Sequence, residues 1–192
     1  MMKFCSLCGG SVSHNVPEND NRLRHICDDC GTIHYQNPKI VTGSIPIWED
    51  KVLLCKRAIE PRRGFWTLPA GFMENGESTW QGAIRETREE ANANIRIQDL
   101  YTTINLPHIN QVYMLFRAEL LDLDFGPGEE SLEVQLFSES DIPWNQLAFP
   151  TVYETLKLYF ENRRQGSFPP RMLDIVRRGV MPNARIEVTI LN

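Results

Sequence analysis

Apolar residues gather in short runs through the middle of the chain, and turn residues separate the runs. Residues 39–48 are rich in β-branched side chains, residues 51–57 form a second apolar run, and Glu49-Asp50 lies between them. This pattern predicts two strands joined as a hairpin. The remaining apolar segments predict one short strand and three further strands, at residues 65–71, 94–106, 109–121 and 134–137.

Two other segments favour helices. Residues 77–93 contain good helix formers, a single glycine and no proline, which predicts a helix of about four turns. Pro150 opens a second helix over residues 151–163, whose apolar residues are spaced to face a core. A mixed sheet between these helices is an α/β fold, an α/β/α sandwich. The segment 166–192 is a C-terminal extension in which residues 184–191 are a candidate strand.

Three glutamates lie close together in the first predicted helix. Glu86, Glu89 and Glu90 stand at i, i+3 and i+4, so their carboxylates share one helical face and repel one another. Arg85 and Arg88 alternate with them in sequence and are expected to project elsewhere. A cation should therefore offset the repulsion, and carboxylate oxygens suit Mg²⁺ or Mn²⁺.

Residues 1–35 carry a second pattern of ligand residues. Two C-x2-C-G segments, separated by 18 residues, contain four of the five cysteines, Cys5, Cys8, Cys27 and Cys30. This spacing is typical of a four-cysteine zinc ribbon, and an ion with four protein ligands is structural. Disulfides and a thioredoxin-like redox motif are the alternatives. The fifth cysteine, Cys55, is expected in the core, and the nearby histidines at the surface or beside the cysteines.

Composition limits the function classes. The chain has 192 residues, 42% hydrophobic and 23% charged, which suits one ordinary domain and a small module. No apolar run is long enough to span a bilayer, and the start lacks a signal-peptide core, so we expect a cytoplasmic protein without a membrane partner. The net charge of −5 argues against a nucleic-acid partner.

The spacing of the acidic segment is more specific than its charge. Gly71, five residues, Glu77, seven residues, Arg85-Glu86, two residues and Glu89-Glu90 resemble the Nudix box, G-x5-E-x7-R-E-U-x-E-E-x-G-U. Two positions differ from the box. Thr87 replaces an aliphatic residue, and its buried hydroxyl would need a partner; Asn92 replaces the last glycine and can adopt the left-handed conformation that ends a helix.

The resemblance extends loosely over residues 38–165 and implies three regions: a zinc ribbon (1–35), a Nudix hydrolase domain (36–165) and the extension (166–192). It implies metal-dependent hydrolysis of a nucleoside diphosphate linked to another moiety. The backbone carbonyl near Ala70-Gly71 is expected to complete the metal site.

The resemblance also implies roles for single residues. Glu86, Glu89 and Glu90 are the expected metal ligands, Glu77 either supports the metal or caps the helix, and Arg85 orients a glutamate. The general base is either Glu86 or a glutamate of the later acidic loop, for which Glu129, Glu130 and Glu133 are candidates; we take Glu130 as catalytic.

Substrate contacts are less specific in sequence. Arg57 and Arg63, with the adjacent Arg62, are candidates for holding phosphates, the alternative being a solvated basic loop. Trp66 and Tyr113, together with Phe149, are candidates for stacking on a nucleobase or flavin, the alternative being core positions.

A zinc ribbon ahead of a Nudix domain is similar to NADH pyrophosphatases and to a separate group that acts on FAD and ADP-ribose. The Gln-Pro-Trp-Pro-Phe-Pro-like motif of the first group has no match in this sequence, which favours ADP-ribose or FAD. The alternatives are an NADH pyrophosphatase and a non-catalytic nucleotide sensor. Similar zinc-ribbon enzymes are dimers, so a homodimer is a further expectation.

Overall fold

The computed structural model describes residues 2–179 and 185–191. Within them the chain forms two compact units, Met1–Pro38 and Lys39–Asn192. The first unit is built on a small antiparallel sheet of three strands in sequence order, β1 (Val12–Asn15), β2 (Arg24–Cys27) and β3 (Ile33–His34).

The second unit is built on one mixed sheet. Its strands are β4 (Lys39–Trp48), β5 (Lys51–Arg57), β6 (Trp66–Thr67), β7 (Ala70–Phe72), β8 (Ile95–Leu106), β9 (Gln111–Leu120), β10 (Ser131–Phe137), β11 (Arg171–Arg178) and β12 (Arg185–Ile190). Their order is β10-β5-β4-β9-β8-β11-β12, with β6 paired to β5 and β7 paired to β4. The pairs β4–β9 and β8–β11 are parallel, and the other pairs are antiparallel.

Two helices cover the sheet, α1 (Thr79–Ala91) and α2 (Pro150–Gln165). Helix α1 begins with a capping box, in which the Ser78 hydroxyl accepts from the Gln81 amide and the Gln81 side chain accepts from the Ser78 amide. It ends at Asn92, whose φ of 50° is left-handed, as the sequence predicts. The helix is shorter than the predicted range 77–93, because the capping box sets its start and Asn92 its end.

Each helix packs over its own apolar cluster. Helix α2 supplies Leu156 and Tyr159 to the larger cluster, together with Leu173 of β11. Ala91 at the end of α1 belongs to the second cluster, with Leu53 of β5. The predicted α/β/α sandwich with a mixed sheet is therefore confirmed.

Strand bounds agree with the sequence in most places. The hairpin strands β4 and β5 have the predicted ends, but the single strand predicted at 65–71 is two short strands, β6 and β7. The predicted strand 184–191 appears as β12 from Arg185, and Ala184 lies outside the described residues. Strand β11, Arg-Met-Leu-Asp-Ile-Val-Arg-Arg, was not predicted, because it follows two prolines and Asp174 interrupts its apolar residues. Among the helices that the structure describes, none has the length and apolar character needed to cross a membrane.

Candidate active site

The four cysteines of the first unit lie close together. All four Sγ atoms are within 4.8 Å of one another, and the Cys8 Sγ lies 3.4 Å from Cys27 Sγ and 3.5 Å from Cys30 Sγ. A tetrahedral zinc ion with bonds of about 2.3 Å requires sulfur atoms about 3.8 Å apart, so this donor set fits zinc. All five cysteines are free thiols, so the disulfide alternative is not present in the structure.

The backbone of the two cysteine turns also suits a thiolate site. The Leu7 amide donates to Cys5 Sγ and the Cys30 amide to Cys27 Sγ, both at 3.4 Å. Gly9 and Gly31 follow the turns with φ of 76° and 72°, a conformation that favours glycine. Amides aimed at sulfur stabilise the deprotonated form that binds a metal.

In the second unit, helix α1 presents three glutamates in different surroundings. Glu86 and Glu90 are buried, with 9% and 7% of their surface exposed, whereas the Glu89 side chain is 59% exposed. The face of α1 that the sequence predicts to be acidic therefore runs from the domain interior to solvent.

Arg85 lies at the centre of these carboxylates. Its Nε and Nη2 donate to the two oxygens of Glu77 at 3.0 and 2.8 Å, and its Nη1 donates to Glu86 at 2.7 Å and to Glu89 at 3.0 Å. The expectation that Arg85 projects away from the cluster is wrong, because helical spacing fixes the start of a long side chain and leaves its end free to turn back. Nη2 also donates to the Phe72 carbonyl at 3.2 Å.

Glu77 is held by this arginine rather than by the helix start. Hydrogen bonding to Arg85, assisted by the Glu74 amide at 2.8 Å, lowers the pKa of Glu77 to about 2. The N-cap of α1 is Ser78, so capping is not the role of Glu77.

The two buried glutamates have the opposite electrostatics. Burial raises the pKa of Glu86 above its ordinary value and raises the pKa of Glu90 to about 8. The Ala70 amide donates to Glu90 Oε1 at 3.3 Å and partly offsets that effect, while the charges of Glu86 and Glu130 add to it. Burial disfavours the charged form of both carboxylates, and a bound divalent cation would favour it. The pair is therefore suited to a metal site.

Two glycines allow other backbone segments to approach helix α1 closely, Gly71 at the Glu86 carboxylate and Gly128 at the helix backbone. A Cβ on Gly71 would lie 2.3 Å from Glu86 Oε2, and a Cβ on Gly128 would lie 1.7 Å from the Glu89 carbonyl oxygen. The loop that contains Gly128 is fastened to the end of α1, since the Gly128 amide donates to the Glu90 carbonyl at 3.0 Å. The first glycine is the one that opens the Nudix-like pattern, and its position has a steric reason.

The acidic loop brings one of its three glutamates to the site. Glu133 forms an ion pair with Lys56 at 3.3 Å on the exposed surface. Glu130 follows the loop that packs on α1, and its charge raises the pKa of both Glu86 and Glu90. Among Glu129, Glu130 and Glu133, Glu130 is thus the one whose electrostatic contact with the buried pair the structure shows.

A cavity of about 470 Å³ is lined in part by the residues of β7, and Gly71 of this strand also lies against Glu86. Its lining includes Arg57, Gly71, Tyr113, Phe149, Ile175 and Arg177. The Arg57 guanidinium lies 5.1 Å from the Phe149 ring centroid, and its Nε donates to the Pro61 carbonyl at 2.9 Å. Its charge lowers the pKa of Glu90 and of Tyr113, so Arg57 connects the cavity to the carboxylates, although burial raises the pKa of Tyr113 on balance.

Two of the predicted substrate residues are placed elsewhere. Trp66 is 6% exposed, lies in the apolar cluster under α2 with its ring edge-on to Phe137 at 4.8 Å, and does not line the cavity. Arg63 is exposed and also lies outside the cavity lining. Trp66 is buried because β6 pairs with β5 inside the sheet. Sequence reasoning missed Ile175 and Arg177, since both come from the unpredicted strand β11.

The two departures from the Nudix pattern are accommodated. Thr87 is fully buried, and its hydroxyl donates to the Ala83 carbonyl at 2.7 Å and lies 2.6 Å from the Ser44 hydroxyl. Asn92 takes the left-handed conformation and its amide group donates to the Gly126 and Pro127 carbonyls at 3.3 and 3.1 Å. The predicted need of Thr87 for a hydrogen-bond partner is confirmed.

Comparison with known families agrees with both halves of this description. A family model described as Nudix N-terminal, a zinc ribbon, matches residues 3–36, and the NUDIX domain model matches residues 38–159. The solved structure of a NUDIX hydrolase from Nitrosomonas europaea is 61% identical, covers 91% of this chain and 99% of its own, and superposes with a TM-score of 0.89.

More distant relatives carry names that specify substrates. The chain is 26% identical over 121 residues to the ADP-ribose pyrophosphatase of Methanocaldococcus jannaschii, covering 60% of this chain and 69% of that one. It is 28% identical over 173 residues to the NAD-capped RNA hydrolase NudC of Pseudomonas aeruginosa, covering 88% of this chain but 59% of that enzyme. The chain thus spans little more than half the length of this NudC relative. With a NUDIX domain model over most of its length, the chain belongs to the Nudix hydrolases and carries the zinc ribbon found at the N-terminus of some of them.

Proposed function

We propose that this chain hydrolyses the pyrophosphate bond of a nucleoside diphosphate linked to another moiety, with ADP-ribose or FAD as substrate and Mg²⁺ or Mn²⁺ as cofactor. The observation that carries the proposal is a pair of buried glutamates, Glu86 and Glu90, with raised pKa values, next to a strand, β7, that also lines a 470 Å³ cavity.

Glu86, Glu89 and Glu90 would hold the divalent ions, with Glu77 supporting them through Arg85. When bound, such ions would offset the charge of the phosphates and of the leaving group and would lower the pKa of a water molecule. Arg85 keeps Glu86 and Glu89 in place through its Nη1 contacts, and Glu77 keeps Arg85 in place through two hydrogen bonds. The chain therefore orients the carboxylates before any ion is present, which reduces the reorganisation needed on binding.

Glu130 is the proposed general base. It is close enough to Glu86 and Glu90 for its charge to alter both pKa values, and the Ala58 amide fixes its backbone by donating to its carbonyl at 2.8 Å. A carboxylate near the ion ligands but not needed as one of them is free to accept a proton from the attacking water.

The cavity is the proposed site for one half of the substrate. Tyr113 and Phe149 offer ring faces, and Arg57, which lines the cavity and whose charge acts on Glu90, can pair with a phosphate. A volume of 470 Å³ falls within the range of small-molecule sites and is large enough for a nucleoside. The diphosphate would then lie beside β7, within reach of the glutamates.

Relatives support this substrate class. One is the Methanocaldococcus enzyme, and another is the solved ADP-ribose pyrophosphatase of Streptococcus suis, which is 26% identical with a TM-score of 0.59 and covers 71% of this chain. A second candidate is a nicotinamide dinucleotide, free or as an RNA cap, because NudC matches 88% of the chain including both domains. A homodimer, a cytoplasmic location and a zinc ion held by the four cysteines remain predictions.

The test is a substrate panel with purified protein. We expect AMP release from ADP-ribose or FAD in the presence of Mg²⁺ or Mn²⁺, with slower turnover of NADH and nucleoside triphosphates. Glu89→Gln should reduce turnover by about 100-fold or more without unfolding, since Glu89 is exposed. The matched control is Glu133→Gln, whose carboxylate pairs with Lys56 on the exposed surface.

Absence of turnover across the whole panel would overturn the proposal. Tight nucleotide binding that is equal in the wild type and in Glu89→Gln, without turnover, would instead support the sensor alternative. Preferred hydrolysis of NADH or of NAD-capped RNA would favour the second candidate.

A further inference from the structure

The C-terminal strands are part of the domain although they lie beyond the family match. The NUDIX domain model ends at residue 159, while β11 and β12 extend the sheet from β8. Leu173 and Ile175 of β11 are 0% and 1% exposed and belong to the same apolar cluster as helix α2. This depth of burial means that β11 is held in a fixed position relative to the cavity.

The position of Arg177 follows from strand pairing. Strand β11 runs parallel to β8 from Arg171 opposite Thr102 to Asp174 opposite Asn105, where the Asn105 side chain donates to Asp174 at 2.8 Å. Strand β8 ends one residue later, and the chain leaves the sheet in a short 3-10 turn, Pro107–Ile109. Strand β11 continues past this end, so Arg177 stands beside the turn.

Alternation along β11 then sends neighbouring arginines to opposite faces. Arg177 shares a face with Ile175, and both line the cavity together with Ile186, the partner of Arg177 on β12. Arg178 points to the other face and forms an ion pair with Glu187 at 3.0 Å. Among the residues that the structure describes, none forms an ion pair or a side-chain hydrogen bond with Arg177.

Arg177 is also remote from the proposed phosphate position. Strand β11 lies four strand positions from β7, on the order of 20 Å at the usual spacing between strands. A substrate whose diphosphate lies next to β7 would therefore meet Arg177 only with its furthest group. A guanidinium has donors and no acceptor, so it binds atoms that accept hydrogen bonds, and its planar face stacks on rings.

We propose that Arg177 determines specificity by binding the heteroaromatic ring at the end of the substrate remote from the diphosphate. The inference rests on the proposed function, because it assigns the cavity to one half of that substrate. The ring is either adenine or the second ring system, such as a flavin; both present acceptor atoms on their edges and a flat face. The residue lies outside the Nudix box and outside the family match, so the C-terminal strands would give this chain its own selectivity.

The experiment uses the mononucleotide halves of the substrates as competitive inhibitors of the full-length enzyme. AMP and FMN carry rings, whereas ribose 5-phosphate carries the same phosphate and no ring. We expect Arg177→Ala to weaken inhibition by AMP or by FMN about tenfold, to leave inhibition by ribose 5-phosphate within twofold, and to raise KM with little change in kcat. Whichever mononucleotide is affected identifies the half that occupies the cavity.

Arg178→Ala is the matched control, as it removes the adjacent arginine from the opposite face. Equal inhibition constants in Arg177→Ala, Arg178→Ala and wild type would overturn the inference, as would an equal loss for ribose 5-phosphate. Arg177→Lys keeps the charge but loses the planar group, and should recover less than half of the lost binding free energy. Calorimetric titration with AMP and FMN gives the same comparison without turnover, so failure of the inference is distinguishable from an enzyme that rejects the whole substrate panel.

Discussion

The cysteines of the first unit and the glutamates of the second are both fitted to hold cations, but they are built differently. The sulfur atoms face one another directly, with Cys8 Sγ 3.4 Å from Cys27 Sγ. The carboxylates instead share a protein cation, since Arg85 donates hydrogen bonds to Glu77, Glu86 and Glu89. We therefore expect the first cluster to need an added ion for its stability, whereas hydrogen bonds from Arg85 hold the second cluster together.

The two units also differ in the size of their apolar cores. The first unit has strands of two to four residues, too little to form a large apolar core. The second unit has two apolar clusters and fully buried residues such as Leu156 and Tyr101. We therefore expect metal loss to unfold the first unit and to leave the second folded.

The largest effect should come from removing one thiolate. Cys27→Ser places a poor zinc ligand at a buried position, and since structural zinc contributes roughly 10 kcal/mol or more to folding, we expect the first unit to unfold. The measurement is zinc content by mass spectrometry of the metal, together with tryptophan fluorescence. All four tryptophans lie at residue 48 or later, so their fluorescence reports the second unit alone.

Cys55→Ala is the control for this prediction, because it removes the thiol that lies in the second unit. The control should retain zinc in full. Retention of zinc by Cys27→Ser, or a tryptophan transition that moves with zinc loss, would contradict the contrast between the units.

Sequence reasoning reached the sites that depend on local spacing. The cysteine cluster follows from two C-x2-C-G turns, and the shared face of Glu86, Glu89 and Glu90 follows from helical periodicity. Each C-x2-C-G turn and the acidic helical turn join residues that are close in sequence, where spacing nearly determines geometry. The hairpin β4–β5 was predictable for the same reason.

Features that depend on tertiary placement were not reached. The contacts of Arg85 require knowledge of where a flexible side chain ends, and the burial of Trp66 requires the pairing of β6 with β5. Strand β11 pairs with β8, which lies more than 60 residues earlier in the chain. No local sequence pattern therefore predicted this strand or the position of Arg177. The two cavity residues that the sequence did not indicate, Ile175 and Arg177, both lie on this strand.

The second effect concerns the protein cation in the glutamate cluster. Arg85→Ala leaves the buried Glu86 without its partner, which should lower the free energy of unfolding by on the order of 3 kcal/mol in metal-free buffer. Added Mg²⁺ or Mn²⁺ should recover more stability in this variant than in the wild type, since the ion then replaces the guanidinium. The measurement is urea unfolding followed by tryptophan fluorescence, with and without metal.

The matched control is Arg88→Ala, one turn along the same helix. Arg88 donates to the Asn92 carbonyl and to Asn94 at the exposed helix end, and it bonds to none of the three carboxylates. Its loss should change stability by less than about 1 kcal/mol, independently of metal. An equal loss of stability in Arg85→Ala and Arg88→Ala would show that Arg85 does not specifically stabilise the glutamate cluster.

The third effect, which has the clearest sign, concerns Glu90. Burial raises its pKa to about 8 in the folded chain, above the ordinary value near 4.5, so between these pH values the folded state keeps a proton that the unfolded state releases. The free energy of unfolding therefore falls as pH rises from about 4.5 to about 8, by up to a few kcal/mol.

Glu90→Gln cannot ionise and should be more stable than the wild type at pH 8 in metal-free buffer, and equally stable near pH 4.5. Glu89→Gln, at an exposed position, should show no such pH-dependent gain. Saturating Mg²⁺ should reverse the order at pH 8, because the ion stabilises the charged Glu90 of the wild type and finds a weaker ligand in the amide. Unfolding is followed by tryptophan fluorescence. If the stability advantage of Glu90→Gln over the wild type does not grow with pH, the Glu90 carboxylate reaches solvent. The glutamate cluster, like the thiols, would then need its ion to become ordered.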